Sequence, residues 1–360
     1  MDKRTNEIRT VITFFKTLVR KGIRILNIFT FSLRNRKFFS FNMDVNATVL
    51  IKAKHWYVGK YARIDKNVCI NCRELVIGEG AVISSNVRIE GIGKVYIGNY
   101  SVISENVFIL GLKNAILKIG NLSWVGRGSI LNASSNLIIG DGTCIGIGSR
   151  VFTHGCWFEA AEGYKLNYKD VYIGNNVWLA LDVIVQPGTY INDNVLVNSG
   201  SVVSGLLESG HIYSGIPATK QFPLNKVKKD VSIPEKMQTI AYYLSSRLID
   251  SGWKGTCVKK INYNRPYIFK KFPRAINIMF ISQNISDIPP IPGESIYFLP
   301  QVSSSMRSIA KKSNSLLLID LTNKTSYGSK DLEHLLLTTL RDFIFRFYPY
   351  RWNKENQYVL

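Results

Sequence analysis

The sequence predicts an all-β solenoid core, with a basic helical segment before it and a small α/β appendage after it. Three observations carry that prediction. An aliphatic residue returns every six residues through the middle of the chain, Gly often follows it, and the pattern is confined to roughly half of the 360 residues. A chain of this length that is 46% hydrophobic can bury a sizeable core and is too apolar to be mostly disordered.

Residues 1–44 come first. Ile8, Val11, Ile12, Phe15, Leu18 and Val19 recur at helical spacing, with Arg9, Lys16 and Arg20 between them. The spacing predicts a basic amphipathic helix over about residues 5–30. Such a helix can lie on an anionic membrane. It can equally cap the open end of a solenoid, whose edges are unpaired.

Residues 45–220 hold the repeat. Its positions run Val58, Ile64, Ile70; Ile77, Ile83, Ile89; Ile97, Ile103, Ile109; Ile119, Val125, Leu131; Ile139, Ile145, Val151; then Ile173, Leu179, Val185; Ile191, Val197, Val203. Three six-residue segments close a triangular coil, and each coil pairs with its neighbours as parallel sheet. The aliphatic side chains fill the prism, and the next residue meets a corner, as in Ile77-Gly78, Ile97-Gly98 and Ile119-Gly120. A β-sandwich would show period two and hairpin signals instead.

The array breaks once, between Val151 and Ile173, and predicts an extruded loop over residues 152–172. Loops that leave a regular scaffold commonly carry function. His154 stands at the root of this one, in Val151-Phe-Thr-His-Gly-Cys156. It is the histidine within the repeat proper; His55 lies before the first clear coil and His211 in the exit turn. Glu159, Glu162 and Tyr164 lie farther along the loop, where they could orient the imidazole or meet an acceptor.

Past the repeat, residues 221–234 form a Lys- and Pro-containing linker. In 235–360 the period of six is gone: residues 235–250 and Asp331–Phe347 predict helices, and Ile276–Ser282, Ser295–Leu299 and Leu316–Leu321 predict buried strands. Tyr297, Phe347, Tyr348, Tyr350 and Trp352 are packing residues or contacts for a glycan or an anion.

The net charge of +21 first suggests nucleic acid, but its distribution argues otherwise. Residues 1–40 carry +8, residues 221–360 carry +11, and the repeat between them only +2. No nucleic-acid motif accompanies the charge. Five sparse cysteines imply no disulfide framework, and a lone Cys69-x-x-Cys72 is a weak metal or redox signal. No secretory signal and no apolar run of spanning length are visible, so the expectation is a cytoplasmic protein, soluble or peripheral on the inner face of the membrane.

The hexads resemble those of the bacterial hexapeptide-repeat family, whose members fold as left-handed parallel β-helices. The hand comes from the resemblance and departs from the usual right-handed crossover. The stretches Val171–Ala180, Val185-Gln-Pro-Gly188, Asn198–Val203 and Gly215-Ile-Pro-Ala218 resemble the C-terminal part of that family's acyl-CoA-dependent O-acetyltransferases. The resemblance implies acetyl-CoA as co-substrate, no metal, and His154 as general base. It puts Trp178 beside the acceptor and thioester end. Ala180, Leu181, Ser199 and Ser204 would line the pantetheine arm, with Thr219 and Lys220 near the phosphates. Asn198-Ser199 replaces the usual Gly-Ala, and Gly205 stands where a cation is common. The resemblance also implies a homotrimer with sites between subunits, and a sugar hydroxyl of a cell-surface polysaccharide or its precursor as acceptor. N-acetylation of an amino sugar and a non-catalytic scaffold are the alternatives. Four histidines at 55, 154, 211 and 334 do not supply a three-histidine metal site convincingly.

Overall fold

The structure, a computed structural model, describes residues 22, 26, 43–155, 158–263, 265–340, 346–349 and 352. The expected N-terminal helix therefore lies outside the described residues, Gly22 and Leu26 aside. Two compact units divide the chain between Lys228 and Lys229. Among the described residues no helix is long and apolar enough to cross a membrane.

The first unit is a parallel β-helix with three faces. One face is a 10-stranded sheet from Asp44–Val45 to Ala218–Pro223. The other two form a single 14-stranded sheet, because Cys69–Ile77 and Arg88–Ile97 run through the corner between them. Successive coils stack in register, as in Ile103 to Val125, Val125 to Ile145, and Ile145 to Leu179. Every hexad position named above is buried in one continuous core. Burying one such side chain contributes about 1.5–3 kcal/mol relative to exposure.

The coil starts earlier than the strict hexads indicate. Val45, Ile51 and Val58 belong to the same core, but the second step is seven residues, which hides the coil from a strict period. His55 consequently lies inside the coil, in the strand His55–Val58 that pairs with Glu74–Ile77, and not before it.

Backbone proximity explains the corner glycines. A Cβ on Gly98 would sit 2.4 Å from the Gly120 carbonyl carbon, so stacked coils leave no room for a side chain there. The next residue holds the coils together. Asn99, Asn121, Asp141, Asn175 and Asp193 each accept, through Oδ1, the backbone N–H of the corresponding residue one coil earlier, at 2.6–2.8 Å. Such side chains satisfy corner N–H groups that the strand ladders do not reach.

At its far end the first face is closed by Ala218–Pro223, which doubles back antiparallel on His211–Gly215. Leu224–Val227 then forms a short 3-10 helix. This strand end and helix fall within the stretch read as linker.

The second unit opens with the helix Ile233–Asp250, whose Ser232 and Glu235 form a reciprocal capping box. A six-stranded mixed sheet follows, ordered Tyr267–Lys271, Arg274–Phe280, Glu294–Leu299, Leu316–Asp320, Thr325–Gly328 and Tyr348–Pro349. Its three central strands are parallel, and the helices Ser304–Lys312 and Lys330–Thr339 complete an α/β unit. The last helix is shorter than expected. It is capped at Leu340, and Tyr348–Pro349 instead pairs with Thr325–Ser326 beside a fully buried Phe347.

Candidate active site

After the strand Arg150–Phe152 the chain leaves the coil at a corner and forms an antiparallel hairpin, His154–Gly155 against Asn167–Tyr168. Both ends of the hairpin are tied to one corner of the preceding coil. At the outgoing end, buried Thr153 donates its hydroxyl to the Asn132 carbonyl at 2.9 Å and accepts the Ser135 N–H at 2.9 Å. At the returning end, Asp170 accepts the Asn136 backbone and side-chain N–H groups at 2.9 and 3.1 Å, and the Ser135 hydroxyl. Partial burial opposes ionisation of Asp170, but these three donors outweigh it and hold its carboxyl below the usual 3.8.

His154 is half-buried at the hairpin root. Its Nδ1 lies 3.1 Å from the Asn132 Oδ1. That oxygen also accepts the Ser134 backbone N–H at 3.1 Å, which fixes the orientation of the amide. An acceptor facing Nδ1 requires Nδ1 to carry the proton, which leaves the lone pair of a neutral imidazole on Nε2. Tyr168, across the hairpin, stacks on the ring at 5.5 Å and 18°. The imidazole is thus held in one plane and in the tautomer that puts its lone pair on Nε2, the arrangement a general base needs.

Asn132 carries no sequence signal of its own. It stands 22 residues before His154, one coil back at the same corner, and only the coil length reveals the proximity. Neither Glu159 nor Glu162 occupies Nδ1. Both are exposed, flanking or within the 3-10 turn Ala160–Glu162, and Tyr164 packs against Phe158 at 4.8 Å. Cys156 lies outside the described residues.

Trp178 is 52% exposed and rises from the 10-stranded face, in register with Cys144 and Leu196. It belongs to a different face from the strand that leads into His154. Ala180 and Leu181 follow it. The Ala180 N–H is spent on the Val197 carbonyl at 2.9 Å. The Leu181 N–H donates to the Ser199 hydroxyl at 3.2 Å, so the serine in place of the usual alanine caps a donor that would otherwise be open. Ser204 is exposed in the turn between the two faces of the 14-stranded sheet, on the corner that emits the hairpin. Thr219 and Lys220 lie on the terminal hairpin, where Lys220 pairs with Glu208 and Thr219 Oγ1 accepts from Gln221 at 3.0 Å. Within one chain the structure therefore joins His154 to Asn132 and Leu181 to Ser199, but leaves Trp178, Ser204 and Lys220 as separate surface points. No group of three or more His, Cys, Asp or Glu that could hold a metal ion occurs among the described residues.

The hexad-built coil, the extruded loop and the histidine at its root define a hexapeptide-repeat protein. Over part of its length the chain is similar to curated acetyltransferases. It is 32% identical over 102 residues to WcaF of Escherichia coli K12, named for acetyl transfer in colanic acid biosynthesis; the match covers 28% of this chain and 56% of that one. It is 28% identical over 95 residues to the galactoside O-acetyltransferase of Escherichia coli K12, covering 24% of this chain and 47% of that one. The chain thus spans about half the length of the curated relatives it matches. Among solved structures, the polysialic acid O-acetyltransferase OatWY aligns with a TM-score of 0.41 and 17% identity over 51% of this chain and 93% of that one. No family model matches the sequence.

Proposed function

We propose that the β-helix is an acetyl-CoA-dependent O-acetyltransferase acting on a sugar hydroxyl of a cell-surface polysaccharide or its precursor. The observation that carries the reading is the His154–Asn132 pair, which leaves the imidazole lone pair on Nε2 at the root of the one long extrusion from the described coil. An alcohol is a poor nucleophile at neutral pH, and a positioned imidazole takes its proton as the new bond forms. Acetyl-CoA supplies the activated acyl carbonyl. Proteins matched over part of the chain are named for acetyl transfer in colanic acid biosynthesis and to galactosides, which supports a sugar acceptor.

Trp178 serves the acceptor and thioester end in this reading, with Glu159, Glu162 and Tyr164 of the hairpin on the acceptor side. Leu181, Ser199 and Ser204 line the pantetheine arm, and Thr219 and Lys220 meet the phosphates. Ala180 lends shape only, since its amide is spent within the coil. Lys220 must exchange Glu208 for phosphate, and Leu181 must exchange Ser199 for the arm. A homotrimer accounts for the separation of Trp178 from His154, because a neighbouring subunit can supply the second half of a cleft. Residues 1–40 offer a peripheral contact with anionic membrane.

Transfer of label from radiolabelled acetyl-CoA to a panel of polymeric and monomeric glycans tests this function. Label on a glycan hydroxyl supports it. Label on an amino sugar nitrogen replaces O-transfer by N-transfer, and no binding of acetyl-CoA at millimolar concentration overturns the enzymatic reading.

A further inference from the structure

Residues 251–275 of the second unit contain Lys254, Lys259, Lys260, Arg265, Lys270, Lys271 and Arg274 and no acidic residue. The fold gathers the central ones on a single edge. Tyr267–Lys271 is an outer strand of the six-stranded sheet, and it turns into Arg274–Phe280 through the two-residue tip Phe272-Pro273, with Lys271 opposite Arg274. On its free side, Lys254 and Lys270 exchange both backbone hydrogen bonds at 2.8 Å, which sets two lysines directly against each other. Like charges opposed in this way are unfavourable in an isolated protein.

Acids near this edge compensate little. Glu294 takes Arg274 in a bidentate pair at 2.9 Å, and Lys271 donates to the Ser251 carbonyl. Asp250, at the end of the preceding helix, is the carboxylate nearest in sequence on the N-terminal side. The apolar pattern of the hairpin is equally uneven. Phe269, Ile276 and Ile278 face the core, whereas Ile268 and Phe272 point outward at 50% and 90% exposure. Phe272 is the most exposed of the large hydrophobic residues described, and it sits at the tip with Lys270 and Lys271 immediately behind it.

We propose that this hairpin docks the protein on an anionic lipid bilayer, with the Phe272 ring entering the interface and Lys254, Lys270 and Lys271 resting on the headgroups. Lysine on a free strand edge also discourages strand pairing, but that role asks for no aromatic at the tip. A soluble acidic polymer would engage the cations and gain nothing from Phe272. A bilayer uses both, since cations near an anionic leaflet and an apolar side chain at its boundary each favour the bound state. The proposal draws on no residue of 1–40 and rests on neither the acetyl-transfer reading nor the trimer.

The test is sedimentation of the full chain, and of the chain lacking residues 1–40, with phosphatidylcholine vesicles with and without phosphatidylglycerol. Both forms should bind only the anionic vesicles. Lys254→Gln with Lys270→Gln should weaken binding by about fivefold per lysine, the equivalent of roughly 1 kcal/mol each. Phe272→Ser should weaken it further, and Phe272→Trp should show a blue-shifted emission on anionic vesicles only. Circular dichroism of each variant confirms folding. Unchanged vesicle affinity in the lysine and Phe272→Ser variants overturns the proposal. So does an unshifted Phe272→Trp emission combined with equal, lysine-dependent binding to heparin, which would make the edge a site for acidic polymers.

Discussion

The Nδ1 of His154 lies 3.1 Å from the Oδ1 of Asn132, a buried amide one coil earlier that also accepts the Ser134 N–H. An unremarkable asparagine thereby sets the protonation geometry of the one histidine at the extrusion. Asn132→Leu should lower kcat by roughly 10- to 100-fold, with little change in the KM for acetyl-CoA. Asn132→Asp places a carboxylate on Nδ1, favours the imidazolium, and should move the acidic limb of the pH–rate profile to higher pH. Steady-state kinetics across pH checks both, and a profile that does not move would mean that Asn132 only packs.

The Leu181 amide is capped by Ser199. If the pantetheine arm passes here, Ser199→Ala frees the donor, and the KM for acetyl-CoA should fall severalfold at constant kcat. The scale follows from a net hydrogen-bond contribution of about 1 kcal/mol. Kinetics with varied acetyl-CoA reads it out, and an unchanged KM would mean that the arm does not reach the Leu181 amide.

Asp170 holds the returning end of the hairpin. Its folded pKa is depressed, so its contribution is complete above the ordinary value of 3.8 and is lost as pH falls through the lower folded value. Because the carboxylate is largely exposed, solvent screening limits that contribution to about 1 kcal/mol or less. Asp170→Ala should raise amide hydrogen exchange at Asn136 and at the hairpin root near neutral pH, leaving the coil amides protected. Unchanged exchange at Asn136 would contradict the tie.

The prism has little tolerance. Leu131→Ala removes a fully buried side chain from the core and should cost about 2–5 kcal/mol in urea unfolding. Gly146→Ala should be at least as damaging, since its Cβ would stand 1.8 Å from the Ala180 carbonyl oxygen and press adjacent coils apart. Equal stability of Gly146→Ala and wild type would contradict the stacking of these corners.

Sequence alone reveals most of the coil, because a period of six among aliphatic residues has few physical solutions. Ile103, Val125 and Ile145 are read directly and stand in one column. The Val45–Val58 coil is harder to read because one step is seven residues. The Asn and Asp ladder has no sequence signal of its own, since nothing local shows that each side chain reaches one coil back. His154 is conspicuous as a chemical group at a break in the pattern, whereas its partner Asn132 is defined by coil geometry. In the second unit the strands Arg274–Phe280, Glu294–Leu299 and Leu316–Asp320 follow from apolar runs, whereas Tyr267–Lys271, Thr325–Gly328 and Tyr348–Pro349 carry no such run and are fixed by pairing.

Acetyl transfer by His154→Ala, measured beside wild type with radiolabelled acetyl-CoA and a glycan acceptor, tests the central claim most directly. The variant should fold and bind acetyl-CoA as wild type does while losing at least 100-fold in kcat, the scale of a general base. Transfer at the wild-type rate by His154→Ala would contradict the assignment.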